Sequence, residues 1–170
     1  PLDHYRSFNA FFARRLKPEA RPFASEPDVF CAPADGKVLV YPHLDGGLRI
    51  PVKRDSLTLA SLLACESTAG FYRGGSALIV RLAPYDYHRF HFPDTGEPGP
   101  ARNIHGRYYI VNPAALSRMP DVFNRNKRSV TEFVSTRFGQ IAYIEVGGFT
   151  VASIVQTYTP GRVDRGQEKG

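Results

Sequence analysis

The sequence has 170 residues, of which 42% are hydrophobic and 22% charged, and this composition is typical of a single globular domain with a substantial core. The net charge of +6 favours anionic partners, and no apolar run reaches the roughly 18–20 residues that a membrane-spanning helix needs. The two cysteines, Cys31 and Cys65, are too few for a disulfide framework and form no Cys-x-x-Cys metal motif, so we expect free thiols.

The first predicted element is an amphipathic helix over about residues 7–17. Ser7 is a suitable N-cap, and Pro18 would end the helix because proline lacks the backbone N–H that continues it. Its apolar side chains recur at helical spacing: Phe8, Phe11, Phe12 and Leu16. The pattern favours a helix docked on its own domain, and its basic residues leave open a helix that lies on an anionic membrane.

Most of the remaining chain predicts short strands, because runs of β-branched and aromatic residues alternate with Gly and Pro turns. The expected strands are 29–32, 37–41, 48–52, 76–82, 104–111, 129–136, 140–146 and 149–157. Short helices are expected at 56–64 and directly after Asn112. The predicted fold class is therefore mainly β, an α+β arrangement with an antiparallel core and a few short helices, in one domain over residues 1–170.

The stretch with the clearest chemical character spans residues 81–93 and holds His88 and His91. A neutral imidazole exchanges protons near neutral pH, so the pair suggests proton transfer or metal binding; alternatively, one histidine is a core residue and the other lies on the surface. A metal site is weakly supported, because Asp86 is the one carboxylate nearby. A His–Asp relay that activates a nucleophile would need Asp35 or Asp86 beside an imidazole, and the residues alone do not choose between them. Nucleic-acid binding is also weakly supported, since the basic residues are scattered.

Six short stretches follow one another along nearly the whole chain. They are Phe11-Phe-Ala-Arg-Arg-Leu-Lys-Pro18, Pro33-Ala-Asp-Gly-Lys37, Pro84-x-Asp-Tyr-His-Arg-x-His-x-Pro93, Gly106-Arg-Tyr-Tyr-Ile-Val-Asn-Pro113, Val146-Gly-Gly-x-x-Val-Ala-Ser-Ile154 and Arg165-Gly-Gln-Glu-Lys-Gly170. Together, in this order, they resemble the β-chain portion of the pyruvoyl-dependent phosphatidylserine decarboxylases. The resemblance implies a β core similar to the barrel-sandwich hybrids of lipoyl and biotinyl carriers.

The resemblance also implies a mechanism. Members of this family are made as proenzymes that cut themselves before a serine, and this serine becomes a pyruvoyl group at the start of a separate α chain. Matched by motif, Asp35 and His91 would serve the serine in the cut, because a serine needs a base and the base needs a carboxylate to hold its tautomer. His88 would lie near the pyruvoyl group and assist the conversion of phosphatidylserine to phosphatidylethanolamine, in which the pyruvoyl carbonyl is the electron sink. No metal is implied.

The partners implied by the resemblance are the protein's own α chain, phosphatidylserine and an anionic phospholipid surface at the cytoplasmic face of a bacterial inner membrane. A homodimer of αβ units is also expected, and no nucleic acid. Two alternatives stay open. One is a related pyruvoyl enzyme that decarboxylates a free aromatic amino acid, and the other is a non-catalytic module that binds anionic phospholipid.

The sequence departs from the family pattern at two points. It reaches Gly170 several residues before the cleavage motif would appear, so we expect the serine downstream and read the chain as most of a β chain. In addition, Asn126-Lys-Arg128 stands where the family usually has Asn-Glu-Arg, so no role of that glutamate carries over to Lys127.

Overall fold

The computed structural model describes residues 4–44, 49–52, 55–119, 121–151 and 153–170. The strands, in chain order, are β1 (Lys37–Tyr41), β2 (Arg49–Val52), β3 (Asp55–Thr58), β4 (Ala77–Arg81), β5 (Gly96–Pro98), β6 (Arg102–Ile104), β7 (Arg128–Ser135) and β8 (Gly139–Val146). The α-helices are α1 (Phe8–Phe12), α2 (Leu59–Leu63), α3 (Glu66–Ala69), α4 (Pro113–Arg118) and α5 (Val122–Arg125), with 3-10 turns at Pro18–Ala20 and Gly70–Tyr72.

The largest sheet is built around β7, which pairs with a different strand on each edge. On one edge β8 follows it through a hairpin, in register from Arg128 opposite Val146 to Ser135 opposite Gly139. On the other edge β5 and β6 lie one after the other along its length. All these pairings are antiparallel, as are those of the two-stranded sheets β1–β4 and β2–β3. The expected class, mainly β with a few short helices, is confirmed.

Two clusters of buried side chains form the core on either end of β7. One joins α2 and its flanking segments to the sheet and contains Leu44, Leu57, Leu59, Leu62, Leu63, Ala69 and Val130. The other contains Phe92, Phe133 and Val163. The second cluster matters for the site because Phe92 directly follows His91 in the chain, so the packing of its ring fixes where the histidine stretch meets the sheet.

The N-terminal helix is capped as expected but is shorter than its apolar spacing predicts. The Ser7 hydroxyl accepts a hydrogen bond from the Ala10 N–H at 3.1 Å, and the helix ends at Phe12 rather than near residue 17. Lys17 is extended, with φ −64° and ψ 146°, because the residue before a proline is disfavoured in the helical region. The C-cap is Ala13, so the helix has already ended before the proline can affect it, and the expectation that Pro18 ends the helix is wrong.

Three of the expected strands are wrong, wholly or in part. Residues 29–32 and the described residues of 149–157, which are 149–151 and 153–157, form no ladder, and the strand expected at 104–111 ends at Ile104. Beyond it, Gly106 lies so close to the backbone of residues 125–127 that an added Cβ would be 2.5 Å from Arg125 O, so the chain leaves the sheet there. The strands expected at 37–41, 129–136 and 140–146 are confirmed to within one residue, and the one at 76–82 is confirmed as Ala77–Arg81.

Candidate active site

The chain between β4 and β5 forms no regular helix or strand, and this crossing carries both histidines. It opens with a turn in which the Asp86 N–H donates to Ala83 O at 2.9 Å and the Asp86 carboxylate accepts from the Ala83 N–H at 2.6 Å. The Arg14 guanidinium, just after α1, donates to the carbonyls of Tyr85 and Asp86. The N-terminal helix is thus docked on its own domain, against this turn.

His88 follows this turn, and one of its ring nitrogens is hydrogen-bonded to it. Its Nε2 is 2.9 Å from Ala83 O, and its ring stacks on Phe12 with the ring centres 3.7 Å apart. Because a carbonyl can only accept, Nε2 must carry the proton, and the lone pair is on Nδ1. Burial lowers the pKa of His88 from its ordinary 6.5, more than the hydrogen bond to Ala83 raises it. His88 is therefore a neutral imidazole at pH 7 with a basic Nδ1.

His91 has the opposite tautomer. Its Nδ1 is 2.9 Å from Gly166 O, so Nδ1 carries the proton and the lone pair is on Nε2. Tyr87 lies 3.3 Å from that Nε2, and burial raises the pKa of its phenol, so it stays protonated and donates. The His91 backbone N–H donates to Pro33 O at 2.8 Å, which brings the loop of Asp35 against the histidine stretch.

Asp35 lies in the turn that leads into β1, and its carboxylate is bound by Arg21. The Arg21 Nε is 3.0 Å from Oδ2, and one terminal nitrogen is 2.7 Å from the same oxygen. The structure thus brings the loop of Asp35 beside His91, but the two side chains have different partners. Asp35 is bound by Arg21, and His91 contacts Gly166 and Tyr87. The roles of Asp35, His91 and His88 in self-cleavage and decarboxylation stay predictions.

A cleft of about 440 Å³ opens between the Asp35 turn and the turn of residues 83–86, which precedes His88. Its wall includes two carboxylates and two cations, Asp35, Asp86, Lys37 and Arg81. Ala83, whose carbonyl fixes the tautomer of His88, also lines it. The volume is in the range of small-molecule sites, which is about 300–1,000 Å³.

Residues 163–170 run alongside the histidine stretch and pair with it repeatedly. Phe92 N–H donates to Gln167 O at 2.9 Å, Lys169 N–H donates to Phe90 O at 2.8 Å, and Phe90 N–H donates to Gly170 O at 3.0 Å. With the bond from His91 to Gly166, this pairing holds the last described segment next to the imidazole of His91.

A buried ion pair anchors the same segment to the large sheet. Lys169 is fully buried, and its ammonium donates to Glu145 at 2.5 Å and to the Gln156 side-chain oxygen at 2.8 Å. The ammonium also lies within 4.8–5.5 Å of the ring centres of Phe90, Tyr143 and Tyr158. Burial lowers the pKa of Lys169 and raises that of Glu145, while the attraction between the two charges opposes both shifts.

Comparison with known proteins now decides the family. The sequence model of the phosphatidylserine decarboxylase family matches residues 8–170. The phosphatidylserine decarboxylase proenzyme of Ruminiclostridium cellulolyticum is 45% identical over 170 residues, which are 99% of this chain and 57% of that protein. The proenzyme of Chlamydia muridarum is 46% identical over 171 residues, 100% of this chain and 57% of that protein. The proenzyme of Clostridium perfringens is 41% identical over 170 residues, which are 99% of this chain and 58% of that protein.

The chain belongs to the phosphatidylserine decarboxylase family. It spans about 57% of the length of the relatives that it matches. The predicted family resemblance is therefore confirmed.

Cys31 and Cys65 are both free thiols. Across the described ranges, no group of three or more His, Cys, Asp and Glu side chains is arranged to hold a metal ion. Among those same residues, none of the helices has both the length and the apolar character needed to cross a membrane.

Sequence reasoning missed the side chains that hold the candidate catalytic residues in place. Phe12 was expected to face its own domain, but nothing in the sequence indicated that it stacks on His88. Arg21, which binds the Asp35 carboxylate, is 14 residues away in the sequence, and Gly166, whose carbonyl orients His91, is 75 residues away. The crowding of Tyr87 beside the histidines was the one local signal available.

The lysine that departs from the family's usual glutamate acts through its backbone in this structure. Lys127 N–H donates to Arg107 O at 2.9 Å, and its carbonyl accepts from Gly147 N–H at 2.8 Å. The side chain of Asn126, next to it, is fully buried and bonds to the backbone of Tyr109 and Gly147. This part of the motif clamps two neighbouring loops to the sheet.

Proposed function

We propose that the full-length protein is a pyruvoyl-dependent decarboxylase that cuts itself and then converts phosphatidylserine to phosphatidylethanolamine. The observation that carries the proposal is the pair of histidines with opposite tautomers, His88 basic at Nδ1 and His91 basic at Nε2. Two basic nitrogens with separate orientations can serve two successive reactions, a cut and a decarboxylation.

In the cut, His91 would take a proton at Nε2 from a serine that lies downstream of Gly170 in the full-length protein. The pairing of residues 163–170 with the histidine stretch supports this, because it would guide the following chain past that imidazole. Gly166 O would hold the proton on Nδ1 and so keep Nε2 available. The protonated His91 would compete with Arg21 for the carboxylate of Asp35. Once Arg21 releases it, this carboxylate would stabilise the imidazolium.

In the decarboxylation, His88 would exchange a proton at Nδ1 beside the cleft. When present, the pyruvoyl group, formed from the serine and carried by the α chain, supplies an electron sink for the carbon that loses carbon dioxide. The residues present fit such a group, because the 440 Å³ cleft next to the His88 turn is walled in part by the small side chains of Ala32, Ala34 and Ala83. Burial against Phe12 keeps His88 neutral, so it can act as a base at pH 7.

The substrate would reach the cleft from a phospholipid surface. Phe8 in α1 is 66% exposed, and the exposed cations Arg15 and Lys17 follow it, which suits insertion of an aromatic ring beside anionic headgroups. We place this contact at the cytoplasmic face of a bacterial inner membrane.

Native mass spectrometry on the purified protein would count the αβ units and test the expected homodimer.

The decisive experiment is the intact mass of the full-length protein and four variants. We expect two chains from the parent and from His88→Ala, and one uncut chain from Asp35→Ala and His91→Ala. The control is His105→Ala, which alters an exposed histidine outside the site and should cut normally. An uncut parent would contradict the proposal, and cutting by His91→Ala but not by His88→Ala would reverse the two roles.

A second measurement tests the substrate and the role of His88. Release of carbon dioxide is followed with phosphatidylserine in micelles and, separately, with tryptophan. We expect release from phosphatidylserine, slowed by about 100-fold or more in cut His88→Ala, as is usual when a general acid–base group is lost. Release from tryptophan alone would favour the free amino acid alternative, and release from neither would favour a non-catalytic lipid-binding module.

A further inference from the structure

Two cations face each other in the wall of the cleft. Lys37, the first residue of β1, and Arg81, the last residue of β4, are direct partners in the antiparallel ladder, and both line the cleft. Like charges directly opposite each other in a sheet are destabilising unless an anion lies between them or solvent screens them. Within the described ranges, neither the ammonium of Lys37 nor the guanidinium of Arg81 has a hydrogen-bond or ion-pair partner.

The backbone holds Lys37 and Arg81 opposite each other. Gly36, which joins the Asp35 turn to β1, has a φ of +147°, and a Cβ added there would lie 2.6 Å from Arg81 O. Glycine at this position therefore allows the two strand ends to approach each other closely. The ladder fixes the backbone positions of both residues, so the two side chains start from neighbouring points before any ligand arrives.

The carboxylates of the cleft do not neutralise the pair. Asp35 is bound by Arg21 through both oxygens, and Asp86 accepts from the Ala83 N–H within its own turn. The Asp86 carboxylate keeps its charge, so among the described residues the cleft holds two cations without an ion-pair partner, Lys37 and Arg81, against one such carboxylate, and positive charge is in excess. An arginine fork beside a lysine point charge is a combination that suits a phosphate group.

We infer that Lys37 and Arg81 bind the phosphodiester of the phospholipid headgroup and so make the cleft selective for a phosphate-bearing serine over a free amino acid. The inference rests on the proposed function, since it names the substrate class of the same site. The phosphorus of such a headgroup lies only a few bonds from the carboxylate that is lost. A phosphate held by the strand ends would therefore leave the serine part inside the cleft that His88 adjoins.

The test compares the full-length protein with Lys37→Gln, Arg81→Gln and Arg81→Lys. The control is Arg73→Gln, because Arg73 is an exposed cation outside the cleft. Steady-state rates are measured with phosphatidylserine in micelles and with water-soluble glycerophosphoserine. We expect the KM for both substrates to rise about tenfold in the two glutamine variants, with kcat within about twofold, as for loss of one charge-assisted hydrogen bond. Arg81→Lys should recover part of the loss, and Arg73→Gln should match the parent.

Two results would overturn the inference. An unchanged KM in both glutamine variants would show that the cations do not bind substrate. A KM that rises with micelles but not with glycerophosphoserine would show that they contact the charged membrane surface instead.

Calorimetric titration of the full-length protein separates this inference from the proposed function. We expect glycerophosphoserine to bind more tightly than inorganic phosphate, and both glutamine variants to lose this binding whether or not they are cut. Equal affinity for inorganic phosphate would identify a general anion site and overturn the headgroup assignment. If the parent neither cuts itself nor releases carbon dioxide, the proposed function fails, and the titration still decides whether Lys37 and Arg81 hold a phosphate.

Discussion

His88 and His91 are three residues apart, yet the regions around them are built differently. The His88 side consists of a tight turn, the stacked ring of Phe12 and an open cleft. The His91 side is a dense region in which backbone pairing with residues 163–170 and buried ion pairs tie the chain to the large sheet. The imidazole of His88 is held by the Ala83 carbonyl and by a ring from the N-terminal helix, and that of His91 by the carbonyl of Gly166 in the last segment.

The two environments show how a short motif can supply two distinct bases. Each histidine donates to a carbonyl, but His88 does so through Nε2 and His91 through Nδ1. The basic nitrogens therefore differ, because the carbonyl of Ala83, five residues earlier, sets His88 and the carbonyl of Gly166, 75 residues later, sets His91. Changes on the His91 side should therefore affect stability most, and changes on the His88 side should affect protonation most.

The largest effect is expected from Lys169→Met. Removing the ammonium leaves Glu145 as an uncompensated charge in a buried position, so we expect the full-length protein to lose about 3–5 kcal/mol in the free energy of unfolding, measured by urea denaturation. The matched control is the double variant Lys169→Met with Glu145→Gln, which removes both charges and should cost clearly less. Equal losses in the two variants would mean that packing, and not the charge, is responsible.

A smaller effect is expected from Asp94→Asn, also on the His91 side. Asp94 is 2% exposed, accepts from Ser135 at 2.6 Å and pairs with Arg165 at 2.8 Å. Burial alone would raise the pKa of Asp94, but the bonds from Ser135, Arg165 and the backbone together outweigh it and lower the pKa below its ordinary 3.8. We expect the variant to lose about 2 kcal/mol at pH 7.

The pH dependence gives Asp94→Asn a second readout. A carboxylate with a lowered pKa stabilises the fold above its ordinary pKa, and this contribution is lost as the pH falls through the folded-state value. The gap between parent and variant, measured by denaturation at pH 7, 4 and 3, should therefore narrow on acidification. A gap that stays constant over this range would contradict the assigned role of the Asp94 charge.

The sequence predicts the fold best where local pattern and long-range pairing agree. The strands β7 and β8 were expected to within one residue, and they pair through a short turn that ends at Gly139, whose φ is +72°. The stretch 149–157 was also expected as a strand, but its described residues form no ladder, and the backbone pairing given for them is a bridge at Val151 and a bond from Thr157 to Lys169. Propensity indicates an extended chain, and it does not supply a partner strand.

The site was predictable only in its reactive groups. His88, His91 and Asp35 could be singled out from motifs, because residue type alone carries their chemistry. Their tautomers could not, because these depend on contacts such as the bond from His91 to the carbonyl of Gly166. The pairing of Lys37 with Arg81 was likewise beyond sequence reasoning, since it depends on the register of two strands 44 residues apart.

On the His88 side, Phe12→Ala should change protonation more than stability. Loss of a partly buried ring is expected to cost about 1 kcal/mol, while exposure of His88 should raise its pKa towards 6.5. The parent should lose stability as the pH falls below 6.5, because the unfolded chain binds a proton there that folded His88 resists, and this slope should flatten in the variant. NMR titration of the His88 ring protons measures the change, with His105 as an exposed internal reference. An unchanged His88 titration would mean that Phe12 does not desolvate the imidazole.

The smallest effect is expected from Tyr87→Phe, which removes the hydroxyl beside His91 and keeps the ring. The hydroxyl is 3.3 Å from Nε2, a long contact, so we expect the free energy of unfolding to change by about 0.5 kcal/mol or less. The tautomer of His91 should not change, because Gly166 O holds the proton on Nδ1 at 2.9 Å independently of Tyr87. Nitrogen-15 shifts of the imidazole distinguish the tautomers directly. A switch of the His91 proton to Nε2 would show that the phenol, and not the backbone of the last segment, orients this base, and the contrast between the two histidine environments would then lose its structural basis.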